Sequence, residues 1–296
     1  MRVEFIAKLV EAAKKDKRIW LITPDLGYGV LEPFAKAFPE RFINAGIAEQ
    51  NAVGMAAGLA AGGKIPYVYS IAPFVYARPF EQVRVDVAYQ NLPVRLVGVG
   101  GGLAYGSLGA THHSTEDLAV MRALPNMTVM APGCINEAEA VAEISVKLKG
   151  PMYIRLGNRG EPDYGYKIEL GKFAQVVKGK GYALIAIGGM LEAAEKIART
   201  NGWNLFSAHT LKPFDETAVL KLVHAGTPII TLEEHNIIGG LASATSDVIA
   251  RSGMGAKFLP LAIPDKFSHI VGGQQYIRDH IGLGDLEKRI KKFLLV

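Results

Sequence analysis

Three short segments carry the residue types that could do chemistry. In Phe42-Ile43-Asn44-Ala45-Gly46-Ile47-Ala48-Glu49-Gln50-Asn51, one carboxylate, Glu49, stands at the mouth of a helix built largely of Ala and Gly. A carboxyl held among apolar groups has its neutral form favoured, so it can share a proton with a ligand. The same position also suits an ordinary first-turn glutamate, which the helix dipole favours. In Ser70-Ile71-Ala72-Pro73-Phe74-Val75-Tyr76-Ala77-Arg78, a strand runs through an aromatic loop into a helix. At the carboxyl end of a parallel strand, Phe74 and Tyr76 would face a ligand crevice; otherwise they pack in a core or an interface. In Gly106–Asp117, His112 and His113 close a glycine-rich loop, and Ser114-x-x-Asp117 patterning opens a helix. Adjacent histidines seldom share one metal on a regular element, and no third ligand lies nearby. Acid–base work or substrate contact therefore stands beside a capping or packing role.

The elements that must position these residues alternate. The spacing predicts an N-terminal helix, then strands at Ile19–Thr23, Ile65–Ser70, Leu92–Val99, Val129–Ala131 and Met152–Leu156. Helices are expected at Ala45–Gly62, Pro79–Gln90, Thr115–Leu124 and Asn136–Leu148. A glycine-rich, weakly periodic stretch at Gly157–Gly171 marks a boundary, after which the alternation restarts from Tyr182. The fold class is α/β with parallel sheets covered on both faces. The expected organisation is a first domain over 1–160, a linker over 161–175 and a second domain over 176–296.

Composition narrows the class. The chain has 296 residues, 49% apolar and 21% charged, which excludes disorder over most of its length. The longest run without a charge or strong polar group, Ala52–Gly63, is too short and small-sided to span a bilayer. The first residues show no apolar signal core. One cysteine, Cys134, excludes a disulfide framework and a multi-thiolate metal site. The net charge of +5 collects in Lys14–Arg18 and Glu287–Phe293, without interleaved aromatics. That reads as solvated helix faces and argues against a nucleic-acid partner. A soluble, cytoplasmic protein without membrane attachment is expected.

Taken together, INAGIAEQNAVGMAAGLAAGGKIPYV, FEQVRVDVAYQNLPV, GSLGATHHSTEDLAVMRALPNMTVMAP and LEEHNIIGGLASA resemble the transketolase family, and in particular the C-terminal subunit of split, two-chain transketolases. The likeness covers nearly the whole chain. It implies a pyrimidine-binding domain followed by a transketolase C-terminal domain, with thiamine diphosphate held at a dimer interface. Glu49 matches the glutamate that hydrogen-bonds the aminopyrimidine ring, and Ile47 lies beside it. Phe74 matches the aromatic that stacks on that ring, with Tyr76 next to it. Asp25 and Leu26 match an Asp-Leu pair near the cofactor. His112 matches the substrate-facing histidine of a Thr-His loop, and His113 replaces a glutamine. Arg155, and more weakly Arg2, match arginines that grip a sugar phosphate.

The departures from the family pattern are equally specific. Gly29, Gly100 and Leu108 stand where full-length transketolases carry a Ser, a His and an Asp that contact the sugar phosphate. Standard pentose-phosphate specificity is therefore in question, even where two-carbon ketol transfer stands. The family binds the diphosphate through Mg²⁺ held by a Gly-Asp-Gly motif, and this sequence has none; Gly284-Asp285-Leu286 is the nearest. The resemblance thus places the Mg²⁺ ligands on an N-terminal transketolase subunit, with this chain making a homodimer contact within a heterotetramer. Two alternatives share the domain order: the beta chain of a 2-oxo-acid dehydrogenase decarboxylase component, and a non-catalytic subunit that has kept the fold.

Overall fold

The computed structural model describes residues 1–158 and 160–295. Its strands are β1 (Ile19–Thr23), β2 (Phe42–Asn44), β3 (Ile65–Ile71), β4 (Arg95–Val99), β5 (Thr128–Met130) and β6 (Met152–Leu156), then β7 (Ala174–Val177), β8 (Ala183–Ala186), β9 (Asn204–Ser207), β10 (Thr210–Lys212), β11 (Ile229–Asn236) and β12 (Phe258–Ile263). They form a seven-stranded sheet, β10-β5-β6-β4-β3-β1-β2, and a five-stranded sheet, β12-β11-β8-β9-β7. Every pairing in the first sheet is parallel except β10 with β5. In the second, only β7 with β9 is antiparallel.

The central strands read as continuous apolar runs because both of their faces are covered. Every residue of β4 and β6 is buried. The helix Arg2–Lys15 buries Phe5, Ile6, Leu9 and Ala13 on one face and packs on the helix Ile135–Lys147. The other face of the sheet meets Ala52, Val53, Ala56, Val83, Val87 and Leu118. That second core continues without a break into Ile185, Ala208, Val219 and Leu241, so the two sheets share apolar packing. Among the described residues, no helix is long and apolar enough to cross a membrane.

The structure differs from the sequence-based expectations in several places. The segment expected to be an aromatic loop contains a short helix, Ala72–Tyr76, with Pro73 in the first turn, where a missing N–H costs nothing. The helix expected from Ala45 starts at Glu49, because Gly46 sits at φ +69° and Asn44 accepts a bond from the Gly46 N–H. The helix expected over Pro79–Gln90 is a short helix, Phe80–Gln82, followed by a π-helical stretch, Val83–Tyr89. Three edge strands lie outside those expectations, β2 among them. β7 starts at Ala174, inside the stretch expected to be linker, and β10 leaves the second half of the chain to close the edge of the first sheet. Edge strands of three or four residues are too short to show a period.

Arg95 on β4 is fully buried and has no carboxylate partner among the described residues. Its Nε donates to the Ser145 carbonyl at 2.7 Å, and its two terminal nitrogens donate to the carbonyls of Gly150 and Leu148. These carbonyls belong to the end of the helix Ile135–Lys147 and the turn after it, which helical bonding leaves unsatisfied. A cation there also meets the negative end of the helix dipole. Arg95→Ala should lower stability by about 3 kcal/mol, through lost charged hydrogen bonds and the cavity left behind. Equilibrium unfolding in denaturant checks this; a change below about 0.5 kcal/mol, the size of an ordinary surface substitution, would contradict it.

Candidate active site

Parallel pairing of β2, β1, β3, β4 and β6 brings the carboxyl ends of these strands to one edge of the sheet. The segments that leave that edge carry Asp25 after β1, Asn44–Glu49 after β2, Phe74 and Arg78 after β3, and Gly100–His113 after β4. Asn44 ties the first two together: its Nδ2 donates to Asp25 Oδ1 at 2.8 Å. Tyr28 also donates to that oxygen, and the two bonds hold the Asp25 carboxyl below the usual carboxylate range. Leu26 is half-buried, and its carbonyl accepts from the Thr23 hydroxyl. Ile47 is 81% exposed, an apolar side chain on open surface two residues before Glu49.

Glu49 is the first residue of its helix and is buried. Its partner is Arg78, whose Nη1 donates to Glu49 Oε1 at 2.9 Å. The same guanidinium lies over the Phe74 ring, with its central carbon 4.0 Å from the ring centroid. His112 meets the edge of Phe74 with centroids 5.1 Å apart, and it shares a hydrogen bond with the Thr111 hydroxyl through Nδ1 at 2.9 Å. Burial and then the charge of Arg78 push the His112 imidazole below its ordinary value, so the ring is neutral near pH 7. Glu49, Phe74, Arg78 and His112 thus form one contiguous cluster. Sequence reasoning missed Arg78, although its position four residues after Phe74, one helical turn, was the available signal.

Tyr76 goes elsewhere. Two residues along a helix is about 200° of rotation, so Phe74 and Tyr76 cannot share a face. Tyr76 is buried and donates to Glu116 at 3.2 Å. Burial, with the carboxylates of Asp117 and Glu116, pushes its hydroxyl far up, so it stays protonated. His113 turns inward where His112 faces Phe74: it is buried, its imidazole is pushed down by desolvation, and its Nε2 has no hydrogen-bond partner among the described residues. It lines a cavity with Tyr76, Glu116 and Lys266.

Arg155 lies behind the histidine loop. Its side chain is buried, and Nη2 donates to two carbonyls, Ser114 at 2.9 Å and Glu234 at 2.8 Å. Its Nε lies 3.3 Å from the fully buried Asp117, which also accepts from Tyr153 at 2.6 Å. A guanidinium held this way fastens the first sheet's histidine loop to β11, and it also lines a cavity with Gly101, Asn158 and Arg278. Glu234 in turn pairs with Arg278 at 2.8 Å, which anchors the helix Gln274–Ile281. Arg155→Ala should cost about 3–5 kcal/mol of stability, because it strands Asp117 without a cation. Equilibrium unfolding in denaturant checks this, and unchanged stability would contradict it.

The three departures from the family pattern have distinct surroundings. A Cβ on Gly100, which sits at φ +73°, would lie 2.0 Å from the ring of Tyr105. A larger residue at 100 therefore requires Tyr105 to move. The Tyr105 ring faces His112 with centroids 6.4 Å apart, and its hydroxyl lies 3.5 Å from Arg2 Nη1. Gly29 has open space around it, and Leu108 is half exposed.

The donor set fits one half of thiamine diphosphate. A buried carboxylate beside an aromatic face already holds a flat cationic donor, the guanidinium of Arg78, and an aminopyrimidine ring protonated at its ring nitrogen is likewise flat, cationic and a donor to a carboxylate. Among the described residues, no group of three or more His, Cys, Asp and Glu is placed to hold a metal ion.

Residues 2–160 match the transketolase pyrimidine binding domain, and residues 171–280 match the transketolase C-terminal domain. The chain belongs to the transketolase family. It is 36% identical to a subunit of the apulose-4-phosphate transketolase of Actinobacillus succinogenes, over 86% of this chain and 84% of that protein. It is 38% identical to a putative transketolase C-terminal section of Methanocaldococcus jannaschii, over 90% and 87% of the two chains. Among solved structures, a split gene transketolase in an inactive beta4 tetramer superposes with a TM-score of 0.90 at 32% identity, covering 99% of this chain and 98% of that one.

Proposed function

We propose that this chain is the C-terminal subunit of a two-chain, thiamine-diphosphate-dependent transketolase that moves a two-carbon ketol unit between sugar phosphates. The observation that carries the reading is that buried Glu49 and the face of Phe74 converge on one guanidinium, that of Arg78. The pyrimidine half of the cofactor would rest here. Its diphosphate and Mg²⁺ would be held by an N-terminal subunit carrying Gly-Asp-Gly, in a heterotetramer that includes a contact between two copies of this chain. The similarity to one subunit of a transketolase and to a separate C-terminal section supports that division.

When bound, thiamine diphosphate supplies a carbanion-stabilising electron sink. The chain's own residues supply position and protons. Glu49 holds the hydrogen bond at the ring nitrogen and shares a proton there. Phe74 offers the stacking face, Asp25, Leu26 and Ile47 line the approach, and Tyr76 backs the site as a protonated donor to Glu116. His112, neutral and at the rim, can take a proton from a substrate hydroxyl and return it. His113 faces the interior and shapes the loop. Apolar or missing side chains at Gly29, Gly100 and Leu108 support a sugar phosphate other than the standard pentose phosphates, with Tyr105 and Arg2 beside it in place of those contacts. The intact Glu49, Phe74 and His112 weigh against a non-catalytic subunit.

The test uses the chain reconstituted with its Gly-Asp-Gly subunit. Glu49→Gln keeps the size and removes the titrating group, so ketol transfer should fall by about 10²–10⁴-fold. His112→Ala should slow the chemical step in single-turnover kinetics more than His113→Ala does. Near-normal turnover of Glu49→Gln in an assembled complex contradicts the proposal. The reverse order of the two histidines would exchange their roles.

A further inference from the structure

Arg78 takes no part in the acid–base scheme and is not core. It follows Phe74 by one helical turn across the end of the helix Ala72–Tyr76, so its side chain returns over the Phe74 ring. The guanidinium meets both groups assigned to the pyrimidine: it stacks 4.0 Å from the Phe74 centroid and donates to Glu49 at 2.9 Å. The Glu49 side chain is 6% exposed, whereas that of Arg78 is 49% exposed, so the pair has one fixed member and one with a route to solvent. A guanidinium is planar, delocalised and cationic, and it stacks on aromatic faces while donating to carboxylates. An aminopyrimidine ring sharing a proton with Glu49 has those same properties. The exposed face of Phe74 and the free side of Glu49 cannot serve two flat donors at once.

We propose that Arg78 is a placeholder: in the cofactor-free chain it occupies the Glu49–Phe74 site as a mimic of the protonated aminopyrimidine, and it swings to solvent when thiamine diphosphate enters. The inference rests on the reading of the site given above. The arrangement has a physical rationale. A buried carboxylate without a cation is costly, and Arg78 covers that need until the cofactor arrives. The two short helices around it, Ala72–Tyr76 and Phe80–Gln82, leave Arg78 on the turn between them, where a side-chain rotation disturbs no backbone bond. The contact competes with the cofactor, so it sets affinity and not only order.

The experiment is calorimetric titration of thiamine diphosphate, with Mg²⁺ present, into the complex reconstituted with the Gly-Asp-Gly subunit. Wild type, Arg78→Ala, Arg78→Gln, Glu49→Gln and the double variant Glu49→Gln/Arg78→Ala are compared. Losing a half-exposed ion pair and a cation–π contact should tighten cofactor binding about 3–10-fold in Arg78→Ala. Arg78→Gln should shift the same way, and it carries the test if the alanine variant does not fold. In the Glu49→Gln background, the gain from removing Arg78 should shrink to less than about 2-fold, because the pair it breaks is already gone. Wild-type binding with no gain, or weaker binding, in both Arg78 variants overturns the placeholder while leaving the cofactor site standing. An equal gain in both backgrounds also overturns it. No binding by wild type overturns the site reading and the placeholder with it.

Discussion

The register of the first sheet is the constraint on which the site depends. Because β2, β1, β3, β4 and β6 all run parallel, each feeds its following loop to the same edge. Residues far apart in sequence, Glu49 and His112, thereby come into one cluster through Phe74 and Arg78. A single antiparallel pairing inside that group would send one loop to the opposite edge. The antiparallel strands sit at the two sheets' edges instead, where they add closure without moving a functional loop.

The two halves of the chain are joined in more than one way. β10 crosses from the second half of the chain into the first sheet, and the apolar core runs on beneath it. Arg155 adds a polar clasp between Ser114 and Glu234, with Asp117 and Tyr153 completing it. Glu233, next along β11, is fully buried and accepts from the N–H groups of Leu241 and Ala242, and burial raises its carboxyl to about 7. The histidine loop is therefore fixed from behind by the Arg155 clasp. Such a shell holds His112 in place against Phe74 while leaving one face of the cluster open.

Much of this is legible in the sequence, for identifiable reasons. Long buried strands such as Ile19–Thr23 and Met152–Leu156 announce themselves as apolar runs of unmistakable composition, and the structure places both at those limits. Glu49, Phe74 and His112 are visible as residue types in telling positions. What the sequence hides depends on distance and direction. That Arg155 bonds the carbonyls of Ser114 and Glu234 is not readable from its letter, since both partners lie far away in the chain. Tyr76 and Phe74 look interchangeable until a helix puts them on different faces. Arg78 reads as a surface cation because its partner lies 29 positions away. The short strands β2, β7 and β10 exist through their pairing, which no local pattern records.

The central claim is that this chain holds one half of an active site. The most direct measurement is ketol transfer from a panel of ketose phosphates, with thiamine diphosphate and Mg²⁺, by the purified chain, by the Gly-Asp-Gly subunit and by their equimolar mixture. The account predicts turnover in the mixture alone. Turnover by this chain without its partner, or micromolar cofactor binding by it alone, would contradict the claim.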